Sequence, residues 1–589
     1  MTDSQALRAV LPEVVVTGVA NGCNVEVESS ELGAGLFQYN IKLTAPEPQL
    51  PAPITLSWRI PAHNIQGMWT PDTLYEKRLR ADWELETLDA SVSRNAPVIC
   101  LFGHDSANVH TFACSDALHA TAMRAVVREE DGFVYCHVTL FTECLAPVTS
   151  EEVLLRIDSR PQPFSTALQD VAAWWAGFAD KKPAPCPPAA HDPIYSTWYS
   201  YHQRITTEAL IAECEACAPL GYKTIIVDDG WQTLDSQRGY DFTGDWNPDR
   251  FPDMAEFVRK VHAIGMKCMT WYAVPFVGKK SAAYARFKDK CLTHTHRWAP
   301  VLDPRFPEVR AYLIGKYTSA LKDWDLDGFK LDFIDDFRVY EDTERSQVAG
   351  RDYACIYEAV DALLTGVMEQ LRAIKPDVLI EFRQRYAGPV MRKYGNMFRA
   401  FDCPHDSVTN RLRTTDVRML IGDSAVHADM VTWHYDEPVE IAALQLWNVL
   451  FAVPQLSVRM ADVPAAHRQM IKTFTEFWIA HRDVLLFGQF EVQQPLANYP
   501  LLEAHTPTHC IAGIYQSMVY PLRAGAVVTD VINATDAHRI VLDAVDGPGT
   551  YTATVFDCMG NEISHAQCHL DAGVHAFDIP TAGRLRLER

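Results

Sequence analysis

The stretch DGFKLDFIDDF, residues 327–337, places a lysine and four aspartates inside what reads as a buried strand of Phe, Leu and Ile. Burial of an unpaired carboxylate is strongly unfavourable, so these charges must be paired, solvated at a strand end or used in chemistry. Side chains two residues apart share one face of a strand, so Lys330 and Asp332 should point the same way. Asp335 and Asp336 lie beyond the strand and are expected to cap or line the following loop.

Five other apolar runs also end in polar or aromatic side chains. One such ending is often only a helix cap or a salt bridge, and a lone histidine is as easily structural. Six such endings together predict a functional site where the strands end, here called the mouth. The side chains in question are Asp228, Asp229 and Trp231 of KTIIVDDGW, Trp271 and Tyr272 of KCMTWYAV, Glu381 and Arg383 of VLIEFRQ, Arg399, Asp402 and Asp406 of NMFRAFDCPHD, and His427 and Asp429 of AVHADMVTW.

The residue types restrict the chemistry of this mouth. The sequence has no dense His/Cys cluster with zinc-ligand spacing and no GxSxG nucleophile motif. Carboxylates, a lysine, arginines and indole rings remain, and these suit a sugar, whose C–H faces stack on aromatic rings while its hydroxyls bond to charged groups. Two carboxylates suffice for glycoside cleavage, so no cofactor and no metal are expected.

The elements that position these residues alternate between short apolar runs and longer helical stretches from 194 to about 480. Repeated β-then-α units predict a parallel sheet, and their number favours a closed (β/α)₈ TIM barrel. In such a barrel the carboxyl ends of the strands form the active site.

The flanking regions have a different sequence pattern. A chain of 589 residues is also too long to form a single hydrophobic core. Short alternating runs predict a β-sandwich over 1–180, followed by the proline-rich connector KKPAPCPPAAHDP at 181–193. The barrel is expected over 194–484, and renewed alternation predicts a small all-β domain over 485–589.

Composition excludes several classes of partner. The net charge of −22 argues against nucleic acid and anionic membranes. The N-terminus lacks the features of a signal peptide, and no apolar run is long enough to span a bilayer, so a cytoplasmic location is expected. The 15 cysteines are scattered, and Cys214 and Cys217 form the only CxxC; small buried thiols are favoured over a redox or zinc role.

An ordered series of motifs adds to this reading. YSTWYSYHQRITTEAL, GYKTIIVDDGWQ, GDWNPDRFPDMAEFVRKVHAIGMKCMTWY, LDPRFPEVRAYL and WDLDGFKLDF occur in that order. The series resembles the clan-D α-galactosidases of glycoside hydrolase family 36, the melibiase and raffinose-synthase group. The resemblance implies a TIM barrel between two β-domains, a retaining exo-acting hydrolase, an α-galactoside or related substrate, and a possible homo-oligomer.

The resemblance also implies roles for individual residues. Asp332 matches the nucleophile and Lys330 a sugar-binding lysine. Asp402 matches the general acid/base better than the runner-up Asp406. The remaining expected sugar-binding residues are Asp228, Asp229, Trp231, Trp246, Trp271, Arg383, Arg399 and His427.

Two departures limit what can be carried over from the family. The family's W-x-S-D segment is replaced by FRAFDCPHD and its glycine-rich segment by EFRQRYAGP, which leaves the exact sugar open. The segment SWRIPAHNIQGMW, 57–69, is the candidate for a pocket-closing loop of the N-terminal domain.

Several alternatives stay open from the sequence. The same site could transfer the glycosyl unit to another sugar, as raffinose-synthase-like members do, or accept N-acetylgalactosamine or another α-sugar. More remote are a metal-dependent barrel lyase or racemase, which chelation would inactivate, and a non-catalytic carbohydrate-binding protein.

Overall fold

The N-terminal unit is a β-sandwich of two six-stranded sheets. The structure, a computed structural model, describes residues 11–20, 22–143 and 146–589. One sheet has the order β1-β4-β11-β10-β6 with β7 on β10, and the other has the order β2-β3-β12-β9-β8-β5. The elements are β1 Val15–Thr17, β2 Asn24–Gly33, β3 Leu36–Gln49, β4 Ile54–Pro61, β5 Gly67–Trp69, β6 Arg80–Ala81, β7 Leu88–Ala90, β8 Val98–Phe102, β9 Asn108–Cys114, β10 Thr121–Arg128, β11 Phe133–Leu140, β12 Val148–Asp158 and helix α1 Phe164–Ala176.

The alternation read from the sequence is the cause of this sandwich. In β11 every second side chain is buried, and β10 and β4 pair with it on either side. The buried faces of the two sheets form one apolar core.

The central unit is an eight-stranded parallel barrel, as the sequence predicts. Its sheet order is β21-β20-β19-β18-β15-β14-β13-β22, and bridges from His427 to Val453 and from Val431 to Leu456 join the first strand to the last. Its strands are β13 Ile194–Ser196, β14 Thr224–Val227, β15 Lys267–Ala273, β18 Gly328–Asp332, β19 Leu379–Arg383, β20 Met397–Arg399, β21 Ala425–His427 and β22 Gln455–Leu456, and a hairpin of β16 Cys291–Thr293 and β17 Val301–Leu302 lies in one connection.

Helices cover the outside of the barrel. Helix α4 shows why they form where they do: Asp253 caps its first turn by accepting from the amide of Glu256, and Gly265 ends it in the left-handed region. The helices are α2 Trp198–Tyr201, α3 Thr207–Cys217, α4 Met254–Ile264, α5 Ala282–Phe287, α6 Pro307–Trp324, α7 Ile356–Ile374, α8 Ser407–Arg418, α9 Val439–Trp447, α10 Ala465–Ala480 and α11 Arg482–Phe487.

The proline-rich connector closes the amino-terminal end of the barrel. Cys186, Ala189 and Ala190 pack against inward-facing side chains of the barrel strands, among them Ile226 and Met269. The connector is therefore a plug in contact with the barrel as well as a spacer between domains.

The C-terminal unit consists of a seven-stranded sheet, β23-β24-β25-β27-β32-β29-β30, and a three-stranded sheet, β26-β28-β31. Its first strand begins at Gln489, so the boundary expected at 484/485 falls inside α11. Its strands are β23 Gln489–Val492, β24 Leu501–His505, β25 His509–Ile514, β26 Val519–Pro521, β27 Val528–Asn533, β28 Arg539–Asp543, β29 Gly549–Phe556, β30 Glu562–Leu570, β31 Val574–Asp578 and β32 Arg584–Glu588.

The cysteines and the helices bear on two expectations drawn from the composition. Every cysteine that the structure describes is unpaired, and Cys214 and Cys217 are buried on α3, where burial raises the pKa of both thiols. Among the helices of the described residues, none combines the length and the apolar character needed to cross a bilayer.

Candidate active site

The barrel mouth holds a cavity of about 660 Å³ at the carboxyl ends of the strands. This is the end at which TIM barrels carry their active sites. The cavity is lined by Trp198, Asp228, Asp229, Tyr240, Trp271, Thr295, His296, Arg297, Trp298, Lys330, Asp332, Phe333, Asp335, Asp336, Arg338, Tyr340, Arg383, Phe401 and Asp402.

The Asp332 carboxylate is the most firmly held group in this cavity. Its Oδ1 accepts hydrogen bonds from Nε of Arg383 at 2.6 Å, from the hydroxyl of Tyr386 at 3.1 Å and from the amide of Phe333 at 2.8 Å. Its Oδ2 accepts one, from the indole of Trp271 at 2.9 Å. Oδ2 is therefore the freer of the two oxygens to meet a ligand.

The strand register explains how these groups converge on Asp332. Strands β15, β18 and β19 are parallel neighbours, with Trp271 opposite Lys330 and Lys330 opposite Glu381. Burial alone would raise the pKa of Asp332, but the Arg383 guanidinium and the Lys330 ammonium outweigh burial and hold that pKa well below its usual range. Asp332 is ionised across the whole physiological range of pH.

Lys330 pairs with a carboxylate at the end of strand β14, which lies two strands away from β18 in the barrel sheet. Its Nζ donates to Oδ2 of Asp228 at 2.6 Å, and both side chains are buried. Asp229 accepts from the amides of Gln203 at 2.7 Å and Gln232 at 2.6 Å. Burial raises the pKa of Asp229 to about 7, because the two neutral amides stabilise its charge less than a cation would.

Gly230 makes the contact between Asp229 and Gln203 possible. Its φ is +118°, and a Cβ on it would lie 2.6 Å from Cα of Gln203. No other residue type fits this position. The glycine of the DDGW motif is therefore required by the backbone conformation, in addition to any chemical role of the motif.

Asp402 also lines the cavity and is bound to a buried arginine. Nη2 of Arg399 donates to its Oδ1 at 2.8 Å, and the same guanidinium pairs with Asp429 and, at 3.5 Å, with Glu381. The Asp402 side chain is 42% exposed, whereas Arg399 is 1% exposed. Enclosure in the cavity raises the pKa of Asp402, but Arg399 and Arg383 together bring it below its usual value.

Asp406 has a different position and a different set of partners. It is the N-cap of α8, where it accepts from the amide of Thr409 at 2.9 Å and from the Thr409 hydroxyl at 2.6 Å. It does not line the cavity. Of the two carboxyls considered from the sequence, only Asp402 faces the candidate substrate space.

Four of the expected sugar-binding side chains do not line the cavity. Trp231 and Trp246 stack on each other with ring centroids 6.0 Å apart, in the core behind Trp271. His427 is fully buried and bonds to the carbonyl of Ala190 at the opposite end of the barrel. The fourth, Arg399, is buried beneath Asp402, so it acts on the cavity only through that carboxyl group.

The loops after β14, β15 and β18 supply most of the cavity wall that the sequence did not predict. Tyr240 stacks near Trp271 with ring centroids 6.0 Å apart, and Trp298 packs edge-on against Tyr240. Arg338 and Tyr340 come from the loop that follows the β18 strand end. Aromatic and charged residues in these loops carry no periodic signal, so the sequence pointed to this wall only through the expectation that Asp335 and Asp336 cap or line the loop after β18.

The N-terminal domain contacts the loops around the mouth, and none of its described residues lines the cavity. The Asn95 amide donates to the carbonyl of Arg385 at 2.6 Å, Asp72 pairs with Arg385 at 3.2 Å, and Ser93 donates to the carbonyl of Phe337 at 2.9 Å. No residue of 57–69 lines the cavity; Trp69 in that segment is buried and donates to Asp416 on α8. The N-terminal residues that contact the loops around the mouth are therefore 72 and 93–95, and not the segment 57–69 that was expected to close the pocket.

Three carboxylates of the cavity are paired with cationic side chains. Asp228, Asp332 and Asp402 each have a buried cationic side chain as partner, so these three carboxylates are not free to hold a metal together. Within the part of the chain that the structure describes, the one group with metal-ligand spacing is Glu491, Glu503 and His505 in the C-terminal domain. Arg523 pairs with both of those glutamates, at 2.7 and 2.5 Å.

Comparison with solved structures identifies proteins that share this fold. A double variant of the α-galactosidase AgaA from Geobacillus stearothermophilus, solved with raffinose, superposes with a TM-score of 0.65 at 14% identity, over 94% of this chain and 79% of that one. The α-galactosidase from Lactobacillus brevis gives 0.63 at 14% identity, over 98% and 86%. The chain has the fold of the family 36 α-galactosidases.

Sequence comparisons cover less of the chain. Residues 183–412 match the model of the glycosyl hydrolases family 31 TIM-barrel domain. A probable α-galactosidase C from Aspergillus flavus is 28% identical over 160 residues, which is 24% of this chain, and a probable α-galactosidase G from Emericella nidulans is 26% identical over 157 residues. These matches span only about a fifth of the curated relatives, 21% and 22% of their lengths. The expected TIM barrel between β-domains and the family 36 resemblance are confirmed.

Proposed function

We propose that the protein is a retaining, exo-acting glycoside hydrolase that cleaves terminal α-galactosyl residues by double displacement. The observation that carries the proposal is the contrast between the two cavity carboxyls. Asp332 is fixed by four donors and is ionised, whereas Asp402 is accessible and attached to the protein by a single arginine. One nucleophile and one proton carrier are what retaining glycosidases require.

In the first step Oδ2 of Asp332 attacks the anomeric carbon. A carboxylate with a depressed pKa is a stable leaving group as well as a permanently ionised nucleophile, and both properties suit an ester that must later break. The three donors on Oδ1 fix the orientation of the carboxylate, so little reorganisation accompanies the attack.

Asp402 donates its proton to the departing oxygen and then takes a proton from water. The charge on Asp332 raises the pKa of Asp402, so this contribution disappears when Asp332 becomes an ester. The pKa of Asp402 therefore falls between the two steps, in the direction that turns an acid into a base.

Asp402 must become protonated when the substrate binds. In the empty cavity Arg399 and Arg383 favour its ionised form. A sugar that fills the cavity displaces water from the exposed side of Asp402 and raises its pKa. The proposal accordingly includes proton uptake on binding, which calorimetry in buffers of different ionisation enthalpy would detect.

The choice of galactose rests on the family resemblance and on the neighbours of the fold. Structures of AgaA variants were solved with raffinose and with stachyose, and the matched curated relatives are α-galactosidases or probable ones. Asp228, Lys330 and Trp271 at the inner end of the cavity supply the hydroxyl partners and the ring face that such a sugar needs.

A panel of nitrophenyl α-glycosides tests the proposal directly. The α-galactoside should be hydrolysed at least tenfold faster, in kcat/KM, than the α-glucoside and the α-N-acetylgalactosaminide. Loss of all three activities in Asp332→Ala, with the fold intact, is expected. Hydrolysis of none of them by the unmodified protein, or full activity of Asp332→Ala, would overturn the assignment. Product analysis at high acceptor concentration separates hydrolysis from transfer.

A further inference from the structure

A second cavity lies at the amino-terminal end of the barrel, on the side opposite the catalytic mouth. Its volume is about 680 Å³, close to the 660 Å³ of the cavity at the mouth. The residues around it come from all three domains: α1 of the sandwich, the segments that precede β20 and β21 of the barrel, and Gly488–Phe490 at the start of the C-terminal domain.

Two arginines face this cavity without a carboxylate partner. Arg418 donates to the carbonyls of Phe451 at 2.8 Å and Leu486 at 3.2 Å, and its guanidinium lies 3.9 Å from the centroid of the Phe490 ring. Arg392 makes only long contacts, at 3.4 Å, to the Ser424 hydroxyl and the Ala172 carbonyl. Neither forms an ion pair with a carboxylate in the described residues.

Each guanidinium therefore has donor capacity that its protein neighbours do not use. A guanidinium carries five N–H donors, and each of these two spends two of them. Burial lowers the pKa of Arg418 to about 9 and that of Arg392 to about 10. In the same barrel, by contrast, carboxylates raise the pKa of the buried Arg399 well above its usual value.

The remaining polar lining is neutral or cationic except at the rim. Gln169, Gln489 and His191 contribute amide and imidazole groups. Asp423 is exposed at the edge and does not reach ion-pair distance of Arg392. In a chain with 75 acidic and 53 basic residues, two arginines left without an acid across an open cavity mark a position for an external anion.

The backbone is shaped to admit the Arg392 side chain. Gly422 has a φ of +53°, and a Cβ on it would lie 2.6 Å from Nη2 of Arg392. Arg411 gives a comparison: it is also buried without an acid, but it packs against Asn448 and the Tyr515 ring and does not line this cavity. The combination of free guanidinium donors and open space is what distinguishes Arg392 and Arg418.

We propose that this cavity binds a small phosphate-bearing anion between Arg392 and Arg418, and that the anion joins the three domains. Guanidinium groups match phosphate oxygens in charge and in hydrogen-bond geometry. The site is independent of the proposed glycosidase activity, since the two cavities share no lining residue.

Thermal unfolding and calorimetry of the full chain test the proposal, with sodium phosphate as probe and sodium chloride at matched ionic strength as reference. A saturable rise in the unfolding midpoint with phosphate is expected, because a ligand that binds only the folded state stabilises it. Arg418→Met and Arg392→Met should each weaken phosphate binding at least tenfold. Arg259→Met, at an exposed position on α4, is the matched control and should leave it unchanged.

Two further arms keep the test decisive. Asp423→Asn removes the acid at the rim and should tighten phosphate binding severalfold, and this exposed substitution reports even if an arginine variant fails to fold. Glucose 6-phosphate against glucose and inorganic phosphate shows whether an ester or the free ion is preferred; either supports the site. A shift that does not saturate, or that is equal in all variants, would overturn it, as would unchanged affinity in Asp423→Asn.

Discussion

Replacement of Arg399 by glutamine should move the alkaline limb of the pH profile of kcat/KM to higher pH. Arg399 is the main group that lowers the pKa of Asp402, and it touches the cavity only through that carboxyl. If Asp402 is the general acid, activity falls as pH rises through its pKa. Removal of the cation raises that pKa, so the falling limb must shift upward.

The size of the shift follows from the contact geometry. An opposite charge in direct contact lowers a carboxyl pKa by about 1–3 units. Arg399 divides its charge among Asp402, Asp429 and Glu381, and Arg383 remains near Asp402 in the variant. A shift of about 1–2 units is therefore expected, which corresponds to roughly 1.4–2.7 kcal/mol of altered proton affinity.

The assay should use a substrate with a poor leaving group, such as raffinose, because nitrophenolate needs little help from an acid. Loss of one partner from a buried ion network costs about 3–5 kcal/mol, so circular dichroism must first show that the variant is folded. Arg399→Lys, which keeps a charge but loses the forked geometry, should give a smaller shift.

The result that would refute this reasoning is specific. A falling limb that stays in place in folded Arg399→Gln would show that the limb does not report Asp402. A limb that moves to lower pH would contradict the sign of the electrostatic argument itself.

Three further variants test other parts of the site. Trp271→Phe removes one charge-assisted hydrogen bond to the nucleophile, worth about 1.5–3 kcal/mol, and should lower kcat about 10–150-fold; Trp231→Phe, behind the cavity, should lower it less than fivefold, and equal losses would contradict the geometry. Asp406→Ala should cost about 0.5–2 kcal/mol of stability with activity retained, whereas Asp402→Ala should lose activity on raffinose; inactive but folded Asp406→Ala would reverse the assignment. Because the folded-state pKa of Asp229 is raised to about 7, its contribution to stability declines as pH rises from about 4 to 7. The unfolding midpoint of Asp229→Asn minus that of the unmodified protein should therefore be larger at pH 8 than at pH 5. A difference that does not change with pH would contradict that pKa.

The sequence predicted the positions that strand periodicity controls. Lys330 and Asp332 share a face because they are two residues apart, and the structure brings both to the cavity beside Trp271. Asp228 and Arg383 were placed correctly for the same reason, since each closes an apolar run that forms a barrel strand.

Periodicity fails where a turn decides the direction of a side chain. Trp231 follows Gly230, and Trp246 itself has a φ of +56°, so both backbones leave the extended region and direct the indoles into the core. His427 does sit on a strand, but on the part of it that faces the connector plug at Ala190. Residue type alone could not separate these from wall residues.

Strand periodicity also does not distinguish Asp402 from Asp406, but a helix-start pattern does. Both follow the apolar run of β20, and D-S-V-T after a strand is typical of a helix start, which favours Asp406 as a cap. The wall formed by Tyr240, Trp298 and Arg338 had no comparable signal, because long β-to-α loops fold against each other and not by any local rule.

The most direct test of the central claim is chemical rescue by azide in two variants. The account predicts that Asp332→Gly with azide converts an activated α-galactoside into the β-galactosyl azide, because azide attacks from the face the nucleophile has left. It predicts that Asp402→Ala with azide gives the α-galactosyl azide, because azide replaces water at the ester of Asp332. The same azide anomer from both variants, or no rescue of either folded variant, would contradict the assignment of nucleophile and acid/base.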